Sequence, residues 1–271
     1  MEVKAYAKIN LALEVMDEKN GYHMVNNLMI LTDLYDTIIL EKADDILLEN
    51  NMIDDNIMIK AAKLFLDHFN ISSGVHMKLI KRIPVAAGLA GGSTDAASVL
   101  KGLNSLYNVK ASNEELMLLA SKLGSDVPFF IDGSIALCTN RGEVVNKLDI
   151  TPNKIPLVLI KINEGLSTKE VYKNYIYDNI SKDDKIKNII SALKSNDLDK
   201  LENNIFNDLT KSALGLNSNL YNLYNELKKG ARIHLSGSGP TIFGLNLTKE
   251  EKDYIKNNIP NDAFYYEGYI G

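Results

Sequence analysis

Over residues 3–15 the chain alternates strictly. Val3, Ala5, Ala7, Ile9, Leu11, Leu13 and Val15 fall on one face, and Tyr6, Lys8, Asn10 and Glu14 on the other. That is the period of a half-buried strand. A second β-like stretch covers about residues 28–40, and Val75, Met77 and Leu79 alternate into a third strand ending near Ile80. Between them, Ile57, Ala61, Leu64, Phe65 and Phe69 recur at helical spacing, with Asp54 or Asp55 placed to cap the helix. A glycine-rich run then stops at Ser93, and Ala96, Val99, Leu100 and Leu103 return at helical spacing, which predicts strand, loop and helix N-terminus. Ser112 and Glu115 make a capping-box pattern for a further helix that stops at Gly124. Two strand-like runs flank Arg141 and Gly142, and residues 151–156, with two prolines, read as a linker. Beyond it come a strand over 157–162, several polar helices, and a closing order of strand, loop, strand, helix, strand.

Composition narrows the possibilities. The 271 residues allow one large domain or two modest ones. Hydrophobic residues are 45% and charged residues 24%, the balance of a folded chain rather than a disordered one. A net charge of −5 argues against a broad cationic face for nucleic acid. A single cysteine, Cys138, excludes an internal disulfide. No run approaches the ~20 apolar residues of a membrane span, and the charged start MEVKAYAKIN does not read as a signal peptide. The expectation is a cytoplasmic protein, without membrane or nucleic-acid partners, whose first residue belongs to the fold. The four histidines are scattered without metal-ligand spacing. The pairs Asp44-Asp45, Asp54-Asp55 and Asp183-Asp184 read as solvated turn charges.

Four stretches carry candidate chemistry. Gly88, Gly91 and Gly92, with Ala90 among them, let the backbone approach a ligand closely, and the following helix offers unpaired N–H groups and the positive end of its dipole. Ser93 and Thr94 add hydroxyls for phosphate or a cation; otherwise the run is a tight turn whose Ser93 caps the helix. Neither GxxxxGK[ST] nor GxGxxG is present, so a phosphate loop here is of another kind. Gly237-Ser238-Gly239-Pro240 is either a β-turn or a second set of backbone donors for an anion. Lys8 and Asn10 share a strand face, and Asp126 lies before Val127-Pro128. Each is ordinary alone. Paired, a carboxylate can take a proton from a hydroxyl while an ammonium stabilises charge developing on oxygens. Gly21-Tyr22-His23 is an exposed aromatic beside a turn at residues 17–20, or a stacking surface with a hydrogen-bonding imidazole suited to a nucleobase.

In this order the stretches resemble the GHMP kinase superfamily, on Ala7-Lys8-Ile9-Asn10-Leu11, residues 84–97 and residues 235–243. The resemblance spans nearly the whole chain. It is strongest to the branch whose acceptor is cytidine diphosphate methylerythritol, through Gly21-Tyr22-His23, Asp126-Val127-Pro128-Phe129, Asn207-Asp208-Leu209 and Leu235-Ser236-Gly237-Ser238-Gly239-Pro240. Ala90 and Thr94 stand where that branch commonly has glycine and serine, both small enough to keep the cradle.

The resemblance implies an α+β, two-domain GHMP kinase fold. Residues 1–150 would form a domain like ribosomal protein S5 domain 2, and residues 151–271 a ferredoxin-like domain, with catalysis in the cleft between. It implies direct transfer of a phosphoryl group from ATP to the acceptor's 2-hydroxyl, a step in the non-mevalonate route to isoprenoid precursors. Asp126 would be the base, with Lys8 beside it. Pro84, Ala86, Gly88, Leu89, Ala90, Gly91, Gly92, Ser93 and Thr94 would hold ATP, with Ser93 touching Mg²⁺. Asn10 would contact the acceptor, Tyr22 and Tyr172 would sandwich its cytosine, and His23 would hydrogen-bond it. Thr168 would lie nearby, and Gly237, Ser238 and Gly239 would close over the reacting groups. The chain would act as a monomer or homodimer. A homoserine or mevalonate type of kinase, or a non-catalytic binding protein of this fold, are the alternatives.

Overall fold

The computed structural model describes residues 1–19, 21–49, 55–178 and 180–271. The chain opens with two long strands, β1 (Glu2–Lys19) and β2 (Tyr22–Ala43), paired antiparallel from Glu2 opposite Ile39 to Lys19 opposite Tyr22. The short β3 (Leu47–Leu48) follows, then α1 (Ile57–His68), β4 (Gly74–Ile80), α2 (Gly91–Leu106), α3 (Asn113–Ser121) and α4 (Phe129–Asp132). The hairpin β5 (Ile135–Thr139) and β6 (Val144–Lys147) closes the first half. The second half runs β7 (Ile155–Lys161), α5 (Thr168–Lys173), α6 (Asp183–Ser195), α7 (Leu198–Asn204), β8 (Phe206–Asn207), α8 (Thr210–Leu216) and α9 (Ser218–Leu227). It ends with β9 (His234–Leu235), β10 (Ile242–Leu245), α10 (Lys249–Asn258) and β11 (Phe264–Ile270). Among the described residues, no helix is long and apolar enough to cross a membrane.

β2 is the organising strand. It pairs with β1, with β4 through Thr37–Ala43, with β5 through Asn27–Ile30, and with β11 at Thr32 opposite Ile270. β11 in turn pairs with β7, β7 with β10 and β10 with β9, all antiparallel, so the strands of both halves join at β2. The predicted strands and helices are present, but β1 continues through residues 17–19, where a turn was expected, and β7 starts at Ile155, inside the expected linker, because both segments find partner strands.

β1 departs from expectation in one respect. It is not half-buried: residues 7–15 are all buried, including Lys8, Asn10 and Glu14. Its pairing to β2 also shifts register between Tyr6 and Lys8, between Asn10 and Ala12, and beyond Val15. Each irregularity re-aims the side chains that follow. Cover on both faces of the strand explains its burial. Ala5 packs in a core with α1 and α2, whereas Ala7, Ile9 and Leu11 pack with Leu157, Leu159, Ile189 and Phe243 of the second half.

Of the two helix caps expected at α1 and α3, the one at α3 is present, and a capping box that the sequence reading did not mark occurs at α10. Ser112 and Glu115 form the reciprocal capping box of α3, and Thr248 and Glu251 form one at α10. Helix α1 is capped by Asn56, whose side chain accepts from the Met58 N–H at 2.9 Å. Asp55 pairs with Lys60 instead, because a residue one position closer to the first turn reaches its free N–H groups. Asp54 lies outside the described residues.

Candidate active site

The loop before α2 is set by unusual backbone. Ala86, Gly88 and Ala90 all have positive φ, at 50°, 76° and 56°. Ala90 is the N-cap of α2 and offers no side-chain hydrogen bond, so Ser93 does not cap the helix. The first N–H groups of α2 therefore keep their donors free of side-chain caps at the positive end of the helix dipole.

Gly88 has a second duty. A Cβ there would lie 2.4 Å from the Ser236 carbonyl oxygen and 2.9 Å from that of Gly239, so the two glycine loops touch at this point. The Thr241 N–H donates to the Ala87 carbonyl at 3.2 Å across the same seam.

Lys8 sits beneath the seam. Its ammonium donates to Asn10 Oδ1 at 2.7 Å and to the Gly88 carbonyl at 3.1 Å. Asn10 Nδ2 donates to Asn27 Oδ1 at 2.6 Å, and the Ser236 hydroxyl lies within reach of both Asn10 Oδ1 (3.3 Å) and the Gly88 carbonyl (3.2 Å). Burial pulls the Lys8 pKa below its ordinary value, and the Asp126 carboxylate opposes that shift. Asp126 is half-buried in the turn before α4 and lines the same cavity as Lys8. Among the described residues the two form no direct ion pair, yet the Asp126 charge acts on the Lys8 ammonium. Cys138 lies buried close to both, and burial pushes its thiol well above the usual range.

The cavity is about 1620 Å³. It is lined by Lys8, Asn10, Asp126, Pro84, Ala86, Gly88, Ala90, Gly91, Gly92, Ser93, Tyr22, His23, Thr168, Tyr172, Gly237 and Ser238, so the structure gathers most of the predicted site residues into one space. Three do not line it: Leu89 and Thr94 turn into the core with 0% and 1% exposure, and Gly239 backs the loop contact with Gly88.

On the cavity's other side Tyr22 is 56% exposed, with the Arg141 guanidinium 5.1 Å from its ring centre. The His23 ring stacks on Tyr172 at 5.9 Å and meets Tyr175 edge-on at 6.0 Å. His23 Nδ1 lies 3.3 Å from the Met16 carbonyl. A carbonyl only accepts, so Nδ1 carries the proton there and Nε2 is an acceptor in the neutral ring. The Thr168 and Ser238 hydroxyls are 2.9 Å apart, joining α5 to the second glycine loop.

Sequence reasoning missed a charged cluster beside the first loop. Lys81 pairs with Asp36 and, at 3.0 Å, with Asp95. Asp36 is fully buried and also accepts from the Arg82 and Ile83 N–H groups. Asp95 is 3% exposed, its Oδ1 has no hydrogen-bond partner, and burial pushes its pKa up to about 7 against the pull of Lys81. A lone charge inside an apolar strand pattern, as at Asp36, is the signal that could have found it. No group of three or more His, Cys, Asp or Glu side chains placed to hold a metal occurs among the described residues.

Comparison with known proteins places this arrangement. Residues 56–134 match the GHMP kinases N terminal domain and residues 189–265 the GHMP kinases C terminal family. The chain belongs to the GHMP kinases, which are small-molecule kinases. Within that family its likeness is to the 4-diphosphocytidyl-2-C-methyl-D-erythritol kinases. It is 43% identical to one from Clostridium perfringens over 255 residues, covering 90% of this chain and 88% of the relative. A crystal structure of a 4-(cytidine 5'-diphospho)-2C-methyl-D-erythritol kinase superposes with a TM-score of 0.83 at 29% identity, covering 100% and 99% of the two chains. A homoserine kinase from Cytophaga hutchinsonii shares the fold, with a TM-score of 0.73 at 17% identity over 100% and 94%.

Proposed function

We propose that this chain transfers the γ-phosphoryl group of ATP to the 2-hydroxyl of 4-diphosphocytidyl-2-C-methyl-D-erythritol, in the cytoplasm, as a step of non-mevalonate isoprenoid-precursor synthesis. One observation carries the reading. Tyr22, His23 and Tyr172 line the same cavity as Lys8, Asp126 and both glycine loops. An aromatic and imidazole wall suits a nucleobase, and the loops suit phosphates. Neither homoserine nor mevalonate carries a flat ring for that wall to stack on.

In this reading Asp126 accepts the proton of the attacking hydroxyl and Lys8 steadies the hydroxyl oxygen and the charge on the transferring group. The oxygen–phosphorus bond to the acceptor forms as the bond to ADP breaks, with no covalent enzyme intermediate. Catalysis rests on positioning and electrostatics. The free N–H groups of α2 hold phosphate oxygens, and residues 237–239 cover the reacting groups. His23 Nε2 accepts from the cytosine amino group, with Tyr22 and Tyr172 against the faces of the ring.

Magnesium fits the donor set. It keeps several waters and is held through substrate phosphates with few protein ligands. The Ser93 hydroxyl on the cavity wall is the hard oxygen that would touch it, and bound there it would neutralise phosphate charge. The domain division at residues 150 and 151 belongs to the same proposal.

Competition by CMP tests the reading. CMP should compete with the methylerythritol substrate and not with ATP. Inhibition that is absent, or competitive only with ATP, contradicts a cytosine wall at the acceptor site.

A further inference from the structure

The Asn207-Asp208-Leu209 motif has no part in the chemistry described above, yet its two polar side chains reach both sides of the site. β8 lies parallel to β1, pairing Phe206 with Ala12 and Asn207 with Leu13, and the Asp208 N–H extends the ladder to the Leu13 carbonyl at 2.9 Å. β1 thus carries Lys8 and Asn10 and, a few residues on, the strand that holds β8 in place.

Asn207 faces the second glycine loop. Its Nδ2 donates to the carbonyls of Leu235 and Gly237, each at 2.8 Å, and its Oδ1 accepts from the Leu209 N–H at 2.9 Å. All the hydrogen-bonding capacity of the amide's nitrogen goes into fixing the start of that loop. Gly237 is where the loop approaches the reacting groups: a Cβ there would lie 3.3 Å from both Lys8 Nζ and Asn10 Oδ1.

Asp208 faces the aromatic wall. Its Oδ2 accepts from the Val15 N–H at 3.0 Å, from Lys182 Nζ at 3.2 Å and from the Tyr175 hydroxyl at 3.5 Å. The single Tyr175 hydroxyl proton is shared between Asp208 and the nearer Val15 carbonyl at 3.1 Å, and the ring meets His23. Lys182 is held in turn by Asp178, and its N–H donates to Glu14 Oε1 at 2.6 Å. The segment after α5, which carries Tyr175, is therefore pinned to β1 through Asp208 and Glu14. Burial raises the Asp208 pKa, against the pull of the Val15 N–H and Lys182.

We propose that Asn207 and Asp208 are positioning residues with separable duties: Asn207 fixes the Gly237 loop over the reacting groups, and Asp208 holds Tyr175 and the end of β1 so that His23 is set for the base. This rests on the acceptor reading of the preceding section. A scaffold residue of uniform importance would depress every parameter together. Two residues with divided duties act on different steps.

Asn207→Asp keeps the shape and the bond from Leu209 but replaces two donors with an acceptor facing two carbonyls. It should lower kcat at least 10-fold, with the KM for the cytidine substrate within 3-fold of wild type. Asp208→Asn and Tyr175→Phe should raise that KM at least 5-fold, weaken CMP binding by calorimetry to match, and leave kcat and the ATP KM within 3-fold. Tyr175→Phe deletes one hydroxyl and carries the second half of the test if Asp208→Asn does not fold; Asn207→Ser carries the first if Asn207→Asp does not. An active wild type whose folded variants each lower kcat and raise that KM together, change neither, or split the opposite way overturns the division of duties. A wild type inactive on the methylerythritol substrate overturns the acceptor reading itself, and with it the Asp208 half.

Discussion

Lys8 is a buried ammonium with two of its three donors committed, to Asn10 and to the Gly88 carbonyl. Those two bonds fix its position, as the proposed role of meeting charge in the transition state requires. Tyr22 is its opposite, an exposed ring on the cavity wall with the Arg141 guanidinium beside it. Base stacking on an aromatic ring contributes about 1–3 kcal/mol. Tyr22→Ala should therefore raise the KM for the cytidine substrate about 10-fold in steady-state assays and leave kcat nearly unchanged. An unaltered KM removes Tyr22 from the site. At this scale the sequence pointed to residues that the structure gathers in one cavity, because Lys8, Asp126, Tyr22 and the glycines sit in short motifs whose residue types suit one chemistry. It hid Asp36, Lys81 and Asp95. Their meaning lies in a contact between β2, the end of β4 and α2, which spacing along the chain does not show.

Among elements, the contact of the two glycine loops is the tightest constraint. Gly88 has a φ of 76° and no room for a Cβ against backbone oxygens at 2.4 and 2.9 Å. Gly88→Ala should part the loops and cost about 1–3 kcal/mol, with a lower Tm, a raised ATP KM and a kcat at least 10-fold down. Wild-type kinetics in this variant contradict the seam. At α10, Glu251 joins the capping box to Arg232, accepting from Arg232 Nε and Nη2 at 2.9 Å each. The Arg232 hydrogen bonds hold its pKa down at about 2. A carboxylate depressed on folding stabilises above its unfolded pKa, near 4.5, and loses that contribution as pH falls through the folded value. Because Arg232 is 40% exposed, screening leaves about 1 kcal/mol at pH 7. Chemical denaturation should find Glu251→Gln less stable by that amount at pH 7, with the gap shrinking below pH 4.5 and closing near pH 2. A gap independent of pH contradicts the ion-pair account. Periodicity marked most of these elements but not their ends. The register shifts in β1 carry no local signature, and the Asn56 cap was one residue from the aspartates that the pattern favoured.

The whole molecule is tied together by pairings that no local pattern reveals. Residues 151–156 read as a boundary along the chain, yet β11 returns to pair Ile270 with Thr32 of β2, and one apolar core draws Ile9 and Leu28 together with Leu159, Ile189 and Phe243. The two-domain fold was legible only through the family resemblance, since strand order across such distances is not written in hydrophobic spacing. A shared core predicts one cooperative heat-absorption peak in calorimetry; two resolved peaks contradict it. That same union brings the glycine loop before α2, Lys8, Asp126, Tyr22, His23 and Tyr172 to one cavity, and the central claim is that they act there as a kinase of a cytidine-linked acceptor. The direct test is ADP release from Mg-ATP with 4-diphosphocytidyl-2-C-methyl-D-erythritol, run on the wild type and on Asp126→Asn in parallel. Loss of a positioned base costs about 10²–10⁴-fold. The account predicts an active wild type and a variant with kcat reduced on that order while ATP binding stays within 3-fold. An inactive wild type, or a variant with undiminished turnover, contradicts it.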